Sequence, residues 1–423
     1  MLLYDSRYRS MTIQIIVLMA FMLGAAWLIN NAIENLAAAG KTFSFGFLNE
    51  PSGYDINQRL IDYSSRSTHA RAAVVGIMNT LLVAVLGCIT ATVIGVLIGV
   101  LRLSRNWMVS RLAAVYVEGL RNVPVLLWIV LTMAVVSHFL PKPADFRGDT
   151  PAAHMLLGSV AVTNRGVYIP EPLFSRGLGD IPVGISLRPN QCESYLNGGE
   201  LADSCGLFQI SLDLWVVIAV LLAGIFVAKL NTMRANRIQA ATGDRPNTLW
   251  ANLAFIILPT VAILWYLGFY LGVPELKGFN FKGGIHVRSS LFALWLALSL
   301  YTGAFIAEVV RAGILAIPKG QNEAAAALGL RQGKIMRLVI LPQAWRIIFP
   351  PLISQYLNLT KNSSLAIAVG YMDVTGTLGG ITLNQTGREM ETILLLMAVY
   401  LVISLTVSTV MNAYNKRNML KER

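Results

Sequence analysis

The sequence predicts an all-α polytopic membrane protein with about eight transmembrane helices, and three observations carry that expectation. Of its 423 residues 55% are hydrophobic and only 13% are charged, about half the charged share of an ordinary globular chain. No soluble surface can be built from so few charges. The mean hydropathy of +0.60 agrees, and excludes a disordered, collagenous or cytosolic globular chain. Finally, the apolar residues run continuously, without the alternation over about ten residues that an outer-membrane barrel needs.

At a rise of about 1.5 Å per residue, roughly 20 residues cross a bilayer once. The first span is Ile13–Ile33, preceded by Arg7 and Arg9 and followed by the small residues Ala37–Ala39. That arrangement is shared by cleaved signal peptides, but the apolar run exceeds their usual 7–15 residues, so a retained helix is expected. Ala72–Leu101 is uncharged, and its Gly95 and Gly99 are four apart, a spacing that suits close helix packing. Leu112–Pro141 carries Glu118 and Arg121 with the helix breaker Pro124, and a run near Leu212–Ala228 starts beside Asp213. Asn247–Pro274 and Ser289–Ala307 are the next two. Ile347–Met372 is interrupted by Lys361-Asn362-Ser363-Ser364, and Thr392–Asn415 closes the series.

The net charge of +12 does not point to nucleic acid, because the cations sit beside apolar spans, where cytoplasmic Lys and Arg retain helix ends. Met1–Ser10, Arg102–Arg111, Lys229–Arg245, Arg311–Arg346 and Lys416–Arg423 are the expected inside segments. Lys142–Ser211 holds more acids than bases and is expected outside, which makes both termini cytoplasmic. The loop Glu275–Arg288 fits this topology poorly, since Lys277, Lys282 and Arg288 outnumber its one acid. Cys88 falls inside a helix, where packing explains it. Cys192 and Cys205 fall in the outer segment, and in an oxidising compartment that pair is a candidate disulfide.

The stretch at about 313–342 carries the most information. Pro318 and Gly320 stop the incoming helix, Gln321–Leu328 is rich in helix formers, and Gly329 permits a sharp turn before a second helical piece expected to end near Pro342. Two short helices around a glycine form a handle for a cytoplasmic partner, or else an interfacial helix without one. Charges within spans usually face a bundle interior. Glu118 and Arg121 lie three apart, as do Glu308 and Arg311, so each set is either a neutralising pair or part of a ligand path. Lys361, Asn362 and Ser364 could meet a substrate carboxylate or join neighbouring helices.

Glu323-Ala324-Ala325, three residues, Gly329, nine residues and Val339-Ile340-Leu341-Pro342 resemble the EAA loop of inner-membrane subunits of bacterial ABC importers, with Val339 as the one departure. Asn79-Thr80-Leu81, Arg102-Leu-Ser-Arg105, Tyr116-Val-Glu118-Gly-Leu-Arg121-Asn-Val-Pro124, Thr302-Gly303…Glu308-Val-Val-Arg311 and Lys361-Asn-Ser-Ser364 are similar to permeases of the histidine, glutamine and general L-amino acid uptake branch. The resemblance covers about 74–140 and 289–415. It implies a five-helix type I, MetI-like permease core with three additional helices. The expected organisation is an extra N-terminal helix and outer segment (1–73), the first part of the core (74–140), an insertion with two extra helices (141–288), and the second part with the coupling loop (289–423).

What the resemblance implies about function is import of polar L-amino acids across the bacterial inner membrane. A periplasmic binding protein would deliver substrate, Glu323, Ala324, Ala325, Gly329, Leu341 and Pro342 would form the ATPase-coupling loop, and a second, similar permease would complete a heterodimer in the lipid. Glu118, Arg121, Lys361, Asn362 and Ser364 are the candidate substrate path. The chain lacks the G-x-x-x-x-G-K-[ST] phosphate loop: Gly40-Lys41-Thr42 has Asn35 at the first glycine position, and Gly333-Lys334 has Leu328 there. ATP and magnesium are therefore expected on a partner subunit, with no catalytic residue, metal or cofactor in this chain. The alternative is an ion-gradient-driven secondary transporter or channel with Glu118, Glu308 and Lys361 as relays, which gives the EAA pattern no task.

Overall fold

The computed structural model describes residues 6–38, 40, 42–61, 63–147, 151–183, 208–244 and 246–418. Cys192 and Cys205 lie outside the described residues. Among the described residues seven helices are long and apolar enough to cross a membrane, or eight if one bent pair is counted as a span. They include α1 (Ser6–Ala38), α2 (His69–Leu101), α5 (Leu212–Thr242), α6 (Leu249–Tyr266) and α7 (Ser289–Leu315). The last two are α9, which runs from Gln332 to Val369, and α10 (Glu389–Asn418).

The span expected over Leu112–Pro141 is broken at its helix breaker Pro124. The chain forms α3 (Trp107–Arg121) and α4 (Val125–Phe139), bent by 105° at the break between them. Pro124 has no N–H to continue the ladder and takes an extended ψ of 136° as the cap of α4. At about 1.5 Å per residue, neither 15-residue piece crosses a hydrocarbon core of about 30 Å alone.

Two other boundaries move. The basic stretch after Ala228 is not a loop, because α5 continues to Thr242 and ends at Gly243 with φ +81°. Lys and Arg are good helix formers, and their long stems let a helix run past the apolar boundary. The helical piece after Gly329 does not end at Pro342 either. Gln332–Ile335 runs through a π-helical turn, Met336–Ile340, into Leu341–Asn362, with Pro342 in the first turn of that helix.

The core is the crossing of α2 and α7. A Cβ on Gly95 would lie 2.5 Å from Ile306 Cβ, and one on Gly99 would lie 2.7 Å from the Ala307 carbonyl oxygen. The two backbones touch because nothing stands between them. Around this seam Val83, Ala91, Leu294, Leu298, Ile306 and Leu359 are fully enclosed.

At one end of the bundle the insertion forms short strands that the sequence analysis did not anticipate. β1 (Ala161–Thr163), β2 (Gly166–Ile169) and β9 (Ile285–Arg288) pair antiparallel in the order β1-β2-β9, which places β9 directly before α7. Further ribbons pair β3 (Glu171–Phe174) with β6 (Phe269–Gly272), β4 (Asp180–Val183) with β5 (Phe208–Ser211), and β7 (Glu275–Lys277) with β8 (Asn280–Lys282). This is the ribbon end. The segment carrying Gly329 lies at the opposite ends of α7 and α9, the loop end.

Candidate coupling loop and substrate path

Three residues after α7, Pro318 caps the helix α8 (Lys319–Ala327). Its far end closes as a Schellman turn: Gly329 N–H donates to the Ala326 carbonyl (2.9 Å) and Leu330 N–H to that of Ala325 (3.3 Å), with Gly329 at φ +76°. A left-handed residue is required at that corner, which is why glycine stands in the pattern. Ala325 is buried and Glu323 and Ala324 are exposed, so α8 turns one face to the bundle and offers the other. Beside them Leu328 is 82% exposed and Leu341 is 42% exposed.

The handle is tied to α9, and α9 in turn packs closely on the end of α7. Gln343 Nε2 donates to Gln321 Oε1 at 3.5 Å, and a Cβ on Gly313 at the end of α7 would meet Ile348 Cγ1 of α9 at 2.3 Å. A push on α8 therefore reaches two spans at once.

At the same end Glu308 of α7 bridges Arg102 at the end of α2 and Arg311 one turn on, the latter at 2.6 Å. The Glu308–Arg311 set is thus a neutralising ion pair, with Arg102, a residue the sequence did not join to it, as a third member. Glu308→Gln is expected to cost about 1–3 kcal/mol, less than a fully buried triad because the side chain is 26% exposed. Thermal unfolding in detergent checks this, and Arg102→Gln added to Glu308→Gln should recover part of the loss.

Glu118 and Arg121 do not pair. Both are exposed, and the Arg121 guanidinium sits 5.0 Å over the Phe305 ring. Further along the bundle, Lys361 is exposed while Asn362 and Ser364 are half-buried. Between them Ser363 is fully buried and donates to the Thr360 carbonyl at 2.7 Å. Among the described residues no ion pair joins Glu118, Arg121 or Lys361 to another side chain. The five candidate path residues occupy two separate places, the α3 end and the tail of α9.

Beyond α9 the chain turns at Gly370 (φ +69°) into a π-helical segment, Thr375–Thr382, that docks on α2. Asn79 Nδ2 donates to the carbonyls of Gln58 (2.7 Å) and Met372 (2.8 Å), and Thr80 Oγ1 accepts from Val374 N–H (3.1 Å). The Asn79-Thr80 pair, noted only as part of a resemblance, is the peg for this segment. Glu391 at the start of α10 accepts from Ser44 N–H at 3.0 Å and so ties the α1–α2 linker to the same place.

Asp373 is fully enclosed at this docking point, where Gly376 N–H (2.8 Å) and the Tyr400 hydroxyl (3.2 Å) donate to it. Burial pushes its carboxyl up to about 6, and those donors pull it only partly back. A carboxyl raised in the folded state keeps its proton longer than in the unfolded one. Stability therefore falls as pH rises from about 4 to about 6, and the cost persists above that. Asp373→Asn is expected to raise stability at pH 8 by about 1–3 kcal/mol and to change little at pH 4. Melting of both forms at the two pH values is the check.

The model of the binding-protein-dependent transport system inner membrane component matches residues 220–421. The chain is 52% identical to the glutamate/glutamine/aspartate/asparagine transport system permease protein BztB of Rhodobacter capsulatus, over 100% of this chain and 96% of that one. It is 43% identical to the general L-amino acid transport system permease protein AapQ of Rhizobium johnstonii, over 100% and 95%. To the putative amino-acid ABC transporter permease protein YhdX of Escherichia coli it is 41% identical, over 98% and 95%. With relatives this similar end to end, the chain belongs to the family of amino-acid ABC transport permeases, the inner-membrane components of binding-protein-dependent transport systems.

Proposed function

We propose that this permease passes polar L-amino acids, acidic ones and their amides included, from a periplasmic binding protein to the cytoplasm. The observation that carries this reading is α8: an exposed helix, closed by a left-handed glycine, that joins α7 to α9 in the chain and bonds to α9 through Gln321–Gln343. Closure of ATPase subunits on that helix would tilt both spans and switch the path from outward-open to inward-open. Glu323, Ala324, Ala325, Gly329, Leu341 and Pro342 form the coupling loop, and Glu118, Arg121, Lys361, Asn362 and Ser364 the path.

In this reading the loop end is cytoplasmic, both termini with it, and the ribbon end is periplasmic, with Cys192 and Cys205 as a disulfide. Residues 74–140 and 289–423 form the core, while 1–73 and 141–288 are additions to it. ATP and magnesium are bound by the ATPase subunits, and a second, similar permease makes a heterodimer. The chain purified alone should hydrolyse ATP at background rate, whereas the complex with ATPases, second permease and binding protein should accumulate glutamate and glutamine in vesicles only with ATP. Accumulation driven by an ion gradient without ATP would favour a secondary transporter and sink the proposal.

A further inference from the structure

A cavity of about 220 Å³ lies at the ribbon end, walled by the linker residues Asn57 and Gln58, by Arg288, by Ser289 and Ser290 of α7, and by the turn Gly370–Met372. That is far more than the roughly 10–15 Å³ one water needs, so it admits a small polar molecule. Its lining includes no Asp or Glu. Arg288 is fixed there, its Nε donating to the Asn57 carbonyl at 3.0 Å and its backbone N–H to Gln58 Oε1 at 3.2 Å.

The two terminal guanidinium nitrogens of Arg288 make no further bond among the described residues, and no described carboxylate lies within 4 Å of them. Gln58, which spends its Oε1 on Arg288, keeps its amide N–H₂. The Ser289 and Ser290 hydroxyls add two more donors. The walls are therefore rich in donors, carry two cations, Arg288 and Arg165, the latter with one terminal nitrogen on the Phe279 carbonyl, and have no counter-ion, which is the chemistry that takes a carboxylate. The Gly370–Met372 wall follows directly on the tail of α9 that carries Lys361, Asn362 and Ser364.

We propose that this cavity is a carboxylate subsite at the ribbon mouth, where Arg288, helped by Gln58, Ser289 and Ser290, receives the carboxylate of the amino-acid cargo before it enters the bundle. The inference rests on the importer reading above.

The test uses the complete importer in vesicles, with wild type, Arg288→Gln, Arg288→Lys and Gln58→Ala, and glutamate and glutamine as probes. Expected are a fall in uptake of tenfold or more for Arg288→Gln, recovery to within about threefold for Arg288→Lys, and a severalfold rise in KM for Gln58→Ala. Capture of the binding protein and the ATPase rate it stimulates should not change. Wild-type uptake by Arg288→Gln would overturn the subsite alone. Loss of binding-protein capture in Arg288→Gln would also overturn it, because the arginine would then serve a carboxylate of that protein. Failure of the wild-type complex to accumulate either amino acid would instead strike the importer reading, and the subsite with it.

Discussion

Gly329→Asp is expected to abolish ATP-driven uptake while leaving the permease in the membrane at wild-type abundance. A Cβ at this position meets nothing within 4 Å, so the substitution does not clash with the chain itself. The left-handed φ of +76° costs a side chain about 1 kcal/mol, which loosens the Schellman turn without unfolding a bundle. The larger effect arises at the contact surface, where an unpaired carboxylate excluded from water costs several kcal/mol. Gly329→Ala separates the two contributions, since it keeps the strain and omits the charge, and should retain most uptake. The measurements are uptake and ATPase co-purification at matched abundance. Wild-type uptake by Gly329→Asp would show that α8 is not the coupling element.

The second large effect is structural. Gly95→Val is expected to destabilise the fold by about 3 kcal/mol or more, at the upper end of overpacking costs. Its first carbon would already lie 2.5 Å from Ile306 Cβ and 2.9 Å from the Gly303 carbonyl oxygen, and backbone on the partner helix cannot rotate away. Melting in detergent should fall accordingly. Ile306→Ala in the same chain should restore part of the loss, because the side-chain half of the clash disappears, and the double-mutant cycle measures how much. Independent, additive losses would mean that the two helices separate and do not meet at this seam.

The helix–turn–helix at about 313–342 was legible because each part has a local cause: prolines stop helices, alanines and glutamate build one, and a glycine at fixed spacing turns the chain. The long apolar runs were legible for the same reason. Pro124 marked a break in its span, but the 105° bend was not legible, because both flanks are helical and pattern alone does not tell a kinked span from two half-spans. Strands of three or four residues in the insertion fall below any readable alternation. Arg102 was counted among the cations of an inside loop, although its partner Glu308 lies over two hundred residues away on a crossing helix. The cavity around Arg288 left one trace: the loop Glu275–Arg288 carries more cations than its side of the membrane favours. Of those cations Lys277 pairs with Glu275 at 2.8 Å and Lys282 is not in the wall, so Arg288 alone ties the loop to the cavity.

The π-helical turn at Met336–Ile340 has a consequence for how this chain tolerates insertion and deletion. Leu341 N–H reaches back five residues, to the Met336 carbonyl, so the turn amounts to an α-helix with one residue inserted. Removing one residue from it would let the ladder close with ordinary spacing, and the helix would persist. Everything on the Gly329 side would then be rotated by about 100° about the axis of α9 and drawn in by about 1.5 Å, which would swing the exposed face of α8 away from its present bearing. A single-codon deletion here would thus preserve the membrane fold and misalign the handle, so length at this turn is under tighter constraint than side-chain identity.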